Sequence, residues 1–349
     1  MDTETNRWNT PALAARDLTI IIPVAGYTST FQRCLNAVKR LEPPPAECIV
    51  VVDGPYPESA AAAEAAGCRV IGLSANGGPA RARNAGARAA GTSILFFVDA
   101  DVELRPESVQ DVIDVFNAHP EIDAMMGSYD DAPAAPGLIS QYRNLLHHYV
   151  HQMGNSEAST FWGACGAIRR TIFLELGGFD ESYRRPCIED IELGYRLKGR
   201  GGRIRLEANV QVKHLKRWTL KSMLRADLLD RAIPWTELIV REKNFINDLN
   251  LTTSSRLSVA LAWSVVPAGV LGCVHPAAAL WIPIALGGLV VLNLPTYRFF
   301  VRVRGVWFTL GVFPLHTLYF LVSGLGFAIG QIKHWWRSLP VDEGVATQR

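Results

Sequence analysis

Residues 94–98 read Ile-Leu-Phe-Phe-Val, and the run stops on Asp99-Ala100-Asp101. Five apolar residues in a row describe a strand buried on both faces, as in the interior of a parallel sheet. In open α/β sheets, ligands sit just outside the carboxyl ends of the strands, where Asp99 and Asp101 fall. Two carboxylates one residue apart repel each other and need a cation or a buried proton. A hard divalent ion suits them, since Mg2+ takes one or two carboxylates and fills its other sites with water and phosphate oxygens. In isolation the pair is also an ordinary strand-to-turn junction, because aspartate is a common turn residue.

The flanking chain repeats the alternation of strand and helix. A strand is expected over 18–24, closed by Pro23, which cannot continue a ladder. Phe31, Leu35, Val38 and Leu41 have helical spacing over 30–41, and three prolines at 43–45 break that helix. A second buried strand over 48–53 ends on Asp53, and an alanine-rich helix over 58–66 leads to a third strand at 69–73. Short loops between such elements imply a parallel sheet with right-handed crossovers. Between the third strand and residue 94 lies Asn76-Gly77-Gly78-Pro79-Ala80-Arg81-Ala82-Arg83-Asn84, a glycine turn opening a helix. Free N–H groups at a helix N-terminus, with arginines in the first turns, resemble a phosphate cradle. The turn is neither a Walker A sequence nor G-x-G-x-x-G, and it also reads as a plain loop and helix start. Asp53 suits a hydrogen bond to a base or ribose, or the capping of a turn.

Length and composition set the frame. With 349 residues there is room for about two domains and a sizeable core. A net charge of +2 with no basic tract gives no reason to expect nucleic acid as a partner. Six scattered cysteines without a C-x-x-C pair suggest reduced thiols. The first sixteen residues are polar and do not read as a cleavable signal peptide. Hydropathy divides the chain near Arg256, soluble before and membrane-like after.

The order of the pieces is more specific than any one of them. A strand ending near Pro23, a strand ending in Asp53, Asn76 to Asn84, and Phe97-Val98-Asp99-Ala100-Asp101 together resemble glycosyltransferase family 2 with the GT-A fold. The resemblance extends through Phe161-Trp162-Gly163-Ala164-Cys165-Gly166 and Gly177-Gly178-Phe179-Asp180 to Ile188-Glu189-Asp190-Ile191-Glu192, covering about 18–214. It implies a Rossmann-like, mostly parallel sheet flanked by helices. It also implies a nucleotide-diphospho-sugar donor (UDP- or GDP-linked), a divalent Mg2+ or Mn2+ ion and inversion at the anomeric carbon. Pro23, Asp53, Asn76, Gly78, Arg83 and Asp99 would line the donor site, with Asp99 and Asp101 holding the metal. Trp162, Gly163, Glu189, Arg217 and Trp218 would meet the acceptor.

Asp190 is the expected general base. An inverting transfer needs a carboxylate that takes a proton from the acceptor hydroxyl. The same acidic cluster also fits the first turn of a helix over 188–198, where it would answer the helix dipole and nothing more. His214 follows an expected strand at 210–212. In related enzymes a histidine there completes the metal site, and neutral imidazole is a competent ligand. His214 to Trp218 half matches the Q-x-x-R-W of processive synthases, with histidine where glutamine is expected.

Residues 217–256 mix lysines and arginines with leucines, which reads as basic amphipathic helices lying on a membrane, with Trp218 and Trp235 at headgroup level. Helices packed on the catalytic domain fit the same pattern. Residues 257–274 and 277–294 are uncharged runs long enough to span, and 306–332 is a third within a segment ending near 337. Arg298, Arg302 and Arg304 place the loop before the third run in the cytoplasm, and the catalytic domain with it. Three full spans would leave Lys333 and Arg337 outside, a conflict that a re-entrant third segment removes.

The expected organisation is therefore a polar tail at 1–16, a GT-A domain at 17–216, interfacial helices at 217–256, a membrane segment at 257–337 and a tail at 338–349. The expected activity is sugar transfer to a hydroxyl of a lipid-linked or membrane-proximal glycan acceptor, at the inner (cytoplasmic) membrane in contact with lipid. A polyprenyl-phosphate sugar transferase, a processive polysaccharide synthase and a catalytically dead membrane scaffold are the alternatives.

Overall fold

The computed structural model describes residues 11–243 and 246–338. Most of the expected tails, and residues 244–245 of the interfacial segment, lie outside the described residues.

The N-terminal part alternates as expected at first. It runs β1 (Leu18–Val24), α1 (Ser29–Val38), β2 (Glu47–Asp53), α2 (Pro57–Ala65), β3 (Arg69–Leu73), α3 (Pro79–Ala89) and β4 (Ile94–Val98). It continues with β5 (Val102–Glu103), α4 (Ser108–Ala118), β6 (Ala124–Tyr129), α5 (Leu138–Gln152), β7 (Glu157–Ala158), β8 (Cys165–Arg169), α6 (Arg170–Glu175), α7 (Glu189–Gly199) and β9 (Ile204–His214). The strands order as β3-β2-β1-β4-β8-β6-β9-β5, with β7 paired to β9. The four strands β1 to β4 are parallel to one another, as the buried apolar runs require. The second half is mixed, because β8 runs antiparallel between β4 and β6.

All five residues of β4 are fully buried. At about 1.5–3 kcal/mol for each fully buried large apolar side chain, burial rather than strand propensity fixes β4 at the centre. Pro23 differs from expectation. It sits inside β1, paired by register with Val51, and the strand ends one residue later at Val24. The ladder to β4 has already stopped at Ile21, so β1 is bonded on one side only at that point.

The C-terminal part begins with α8 (Leu220–Arg225), a π-helical turn at Ala226–Ala232 and α9 (Ile233–Glu242). Trp235 is not at headgroup level. It is buried in a cluster with Ile188, Tyr195, Leu238 and Ile239, so α9 turns its apolar face to α7 and the residue before it. α10 (Thr253–Gly272) follows, then the short α11 (Pro276–Ala279) and α12 (Trp281–Leu292), then α13 (Leu294–Ser338). α10 and α13 are long and apolar enough to cross a membrane by length and composition. The expected second run is divided into the two short helices. The third lies within α13, whose backbone breaks at Gly305 (φ +84°), immediately before that run begins. Ahead of the break, Tyr297, Phe299 and Phe300 pack against Tyr142, Leu145 and Leu146 of α5.

Candidate active site

Three chain segments meet at the carboxyl ends of β4 and β9. The register Val102↔His214 sets His214 opposite the residue that follows Asp101, and Leu215 N–H donates to the Asp101 carbonyl (2.9 Å). His214 Nε2 lies 3.6 Å from Asp101 Oδ2. On the other side of the ring, Nδ1 is 2.7 Å from Asn144 Oδ1. Trp218 Nε1, which can only donate, also points at that oxygen (3.3 Å). The oxygen is therefore the acceptor, and His214 Nδ1 carries its proton. Burial works against the Asp101 charge, but His214 and Lys216 outweigh it and hold the carboxyl below its ordinary range.

Arg83 forms the second joint. It is buried on α3, with Nη2 2.6 Å from Asp99 Oδ1 and Nη1 2.8 Å from Glu189 Oε1. Glu189 also accepts from the Cys187 N–H at 2.8 Å. Burial of Arg83 opposes its charge, yet Asp99 and Glu189 hold it firmly protonated.

Asp190 opens α7. Its Oδ2 accepts from the Gly163 N–H (2.9 Å) and its Oδ1 from the Ile191 N–H (2.8 Å). The helix comes this close because residue 194 is glycine: a Cβ there would stand 2.3 Å from Phe161 N. Desolvation first, and the Glu189 charge second, push the Asp190 carboxyl up to about 6, against the pull of Gly163 and Arg83. Glu192, by contrast, is taken up by Arg196 at 2.6 and 2.7 Å. The acidic cluster thus divides into an ion-pair partner for Arg83, a structural carboxylate and one carboxylate facing open space.

That space is a cavity of about 220 Å³ lined by Arg83, Asp99, Asp101, Trp162, Glu189, Asp190, His214 and Trp218. Gly163 reaches it through its bond to Asp190. The remaining expected donor residues lie apart from it. Asp53 accepts from the Gly77 and Gly78 N–H groups (2.9 and 2.8 Å), so it fixes the glycine turn. Gly78 adopts φ +94°, and a Cβ would stand 2.5 Å from the Arg184 carbonyl oxygen, so only glycine fits. Asn76 is exposed and Pro23 half-buried on the same side. Arg217 is exposed and does not line the cavity.

Several lining residues carried no signal in the sequence reading. Tyr129 stacks on His214 with centroids 4.2 Å apart and meets Trp162 edge-on at 4.7 Å. His147 and His151 on α5 also line the cavity, with their Nε2 atoms 3.1 Å apart. Burial keeps both imidazoles neutral. Their i, i+4 spacing was the available clue. Among the described residues, no three His, Cys, Asp or Glu side chains form a metal cluster on their own.

Residues 19–177 match the family model described as glycosyl transferase family 2. The chain is 27% identical over 220 residues to the pre-mycofactocin glycosyltransferase of Mycobacterium tuberculosis, covering 60% of this chain and 45% of that protein. It is 29% identical over 150 residues to the validoxylamine A glucosyltransferase of Streptomyces hygroscopicus subsp. jinggangensis, 35% of each chain. The chain thus spans less than half the length of these curated relatives. Among solved structures it resembles the mannosyltransferase PcManGT from Pyrobaculum calidifontis, determined with GDP-Man and Mn2+. The TM-score is 0.54 at 13% identity, over 96% of this chain and 92% of that one, a likeness of fold.

Proposed function

We propose that this chain, which carries a glycosyltransferase family 2 domain over residues 19–177, moves a sugar from a nucleotide-diphospho-sugar to a hydroxyl of an acceptor held at a membrane, with inversion. The observation that carries this reading is Asp190. It is a carboxylate on the wall of the same cavity as Asp99, Asp101 and His214, with its proton affinity raised toward neutrality. A base poised near the working pH combines availability with driving force.

Asp190 takes the proton of the acceptor hydroxyl as that oxygen forms its bond to the anomeric carbon. The bond from the anomeric carbon to the diphosphate breaks on the opposite face, and the nucleoside diphosphate leaves with the electron pair. Gly163 N–H holds Asp190 in place, and Arg83 neutralises Glu189 so that one uncompensated carboxylate remains beside the acceptor. Asp53 keeps the glycine turn formed under the donor, and Trp162 and Trp218 offer flat apolar walls to a sugar ring.

Asp101 and His214, with Asp99 beside them, fit Mg2+ or Mn2+. With Nδ1 committed as a donor to Asn144, Nε2 is the ring atom left to face the Asp101 carboxylate, an arrangement that would suit a shared cation. Two or three protein ligands suffice for an ion that draws the rest from phosphate and water. Bound there, such an ion would supply positive charge to a departing diphosphate. The neighbour of like fold was solved with GDP-Man and Mn2+, in keeping with this reading.

The membrane part of the reading rests on α10 and α13. With Arg298, Arg302 and Arg304 on the cytoplasmic side of a multi-pass segment, the catalytic domain lies in the cytoplasm against the inner membrane, where nucleotide sugars are. The test is a screen of UDP- and GDP-sugars on detergent-solubilised protein, scoring release of nucleoside diphosphate with and without Mn2+ or Mg2+. Release from at least one donor, dependent on the ion, is the expected result; none from any donor would leave the scaffold alternative standing.

A further inference from the structure

Behind the catalytic cavity lies a second one, of about 340 Å³. Trp235, Ile239, Leu251, Val259, Phe320 and Phe327 form its apolar wall, contributed by α9, α10 and α13 and by the turn before α10. Arg231, Trp235 and Asn250 line both cavities, so the two share a wall. Arg231 sits on the π-helical turn between α8 and α9, and such turns are frequent at functional sites. It is half-buried, and among the described residues it makes no hydrogen bond or ion pair, although Asp227 and Asp190 are within electrostatic reach. Asp227 is already matched by Arg143 at 2.5 Å. A surplus guanidinium therefore stands where an apolar cavity walled by two membrane-length helices meets the catalytic one.

We propose that this junction binds a lipid-linked phosphate, with the first units of an isoprenoid or acyl chain in the apolar cavity and the phosphate on Arg231. The inference rests on the glycosyltransferase reading and names the acceptor class of that same site. A half-buried unpaired arginine calls for an anion, and its planar donor fork matches phosphate oxygens two at a time. The bordering helices make lipid the natural source of the apolar part. A carboxylate would also match the fork, but a carboxylate esterified to a sugar loses its charge. A phosphate keeps one negative charge while joining a chain on one side to a sugar on the other. The sugar then lies beyond Arg231, toward Asp190 and the reacting hydroxyl.

Binding is read apart from transfer, by native mass spectrometry of the full chain in neutral detergent. The probes are decaprenyl phosphate, decaprenol, a C12 fatty acid and inorganic phosphate. Decaprenyl phosphate should be retained at least ~10-fold more tightly than each of the other three, and Arg231→Gln should erase that preference while Arg231→Lys keeps part of it. Val259→Trp, which fills the apolar cavity without touching the charge, should lower retention of decaprenyl phosphate and decaprenol alike. Equal retention of phosphate and alcohol, or of phosphate and fatty acid, overturns the proposal, as does an unchanged preference in Arg231→Gln. If wild-type protein shows no phosphate preference yet turns over donor, only this inference falls. If it binds the lipid phosphate yet turns over no donor, the glycosyltransferase reading falls instead.

Discussion

Arg83 and Glu189 are joined by a buried ion pair, Nη1 to Oε1 at 2.8 Å, across 106 positions of sequence. The same guanidinium holds Asp99 at 2.6 Å. One side chain therefore ties the helix after the glycine turn to the β4 terminus and to the start of α7. It also decides which acidic residue stays available, since Glu189 is neutralised and Asp190 beside it is not.

If Asp190 is the base, Asp190→Asn keeps the size and most of the hydrogen bonding but removes the basicity. A positioned base contributes about 10²–10⁴-fold, so kcat should fall by at least ~100-fold while donor Kd stays nearly constant. A loss below ~10-fold with the native acceptor would retire Asp190 and favour a phosphate acceptor oxygen, which needs no base.

The pH profile gives an independent reading. The carboxyl is raised to about 6 and works only when ionised, so activity is present above that pH and lost as pH falls through it. A plot of log kcat/KM should drop with unit slope on the acid side, and the residual activity of Asp190→Asn should lack that limb. A flat profile down to pH ~4, near the ordinary carboxylate value, contradicts the raised affinity.

Asn144 should act through His214. Its oxygen holds the Nδ1 proton and so aims Nε2 at Asp101. Replacing an outer-shell partner of a metal-binding histidine typically weakens metal affinity about 10–100-fold. Asn144→Leu should raise the Mn2+ Kd within that range, measured directly by electron paramagnetic resonance of free Mn2+. No change in Kd removes His214 from the metal site.

Asp53→Ala should act on the donor side alone. It deprives two backbone N–H groups of a charged acceptor, and bonds to charged groups contribute about 1.5–3 kcal/mol each. The expected result is a lower Tm and a donor KM raised several-fold, with metal Kd unaffected. A raised metal Kd, or an unchanged donor KM, would contradict a role confined to the glycine turn.

The helices offer a test of topology. Native Cys273 is exposed at the far end of α10, and Arg302 is exposed ahead of the Gly305 break. In intact cells an impermeant thiol reagent should reach Cys273 and spare Arg302→Cys, with labelling of the latter only after lysis. The reverse pattern places the catalytic domain on the outer side.

Local sequence was enough to specify β1 to β4 and the motifs on their ends. A strand buried on both faces must be continuously apolar, and a turn with φ +94° admits only glycine, so both leave marks that need no partner to be read. The same holds for the start of α7, written in its acidic first turn. What local sequence left open was which of those carboxylates would lack an ion-pair partner. That was decided by contacts between distant segments: Arg83 on Glu189, Gly163 on Asp190, and the β5–β9 register that brings His214 to Asp101. Tyr129, Trp162 and Arg231 had no periodicity of their own, and the i, i+4 spacing of His147 and His151 marked a helix face without saying what it meets, because these positions follow from how α5, α9 and α13 pack on the sheet. Trp235 shows the limit best. An amphipathic helix exposes one apolar face, and whether that face meets lipid or protein depends on what the rest of the chain folds against it.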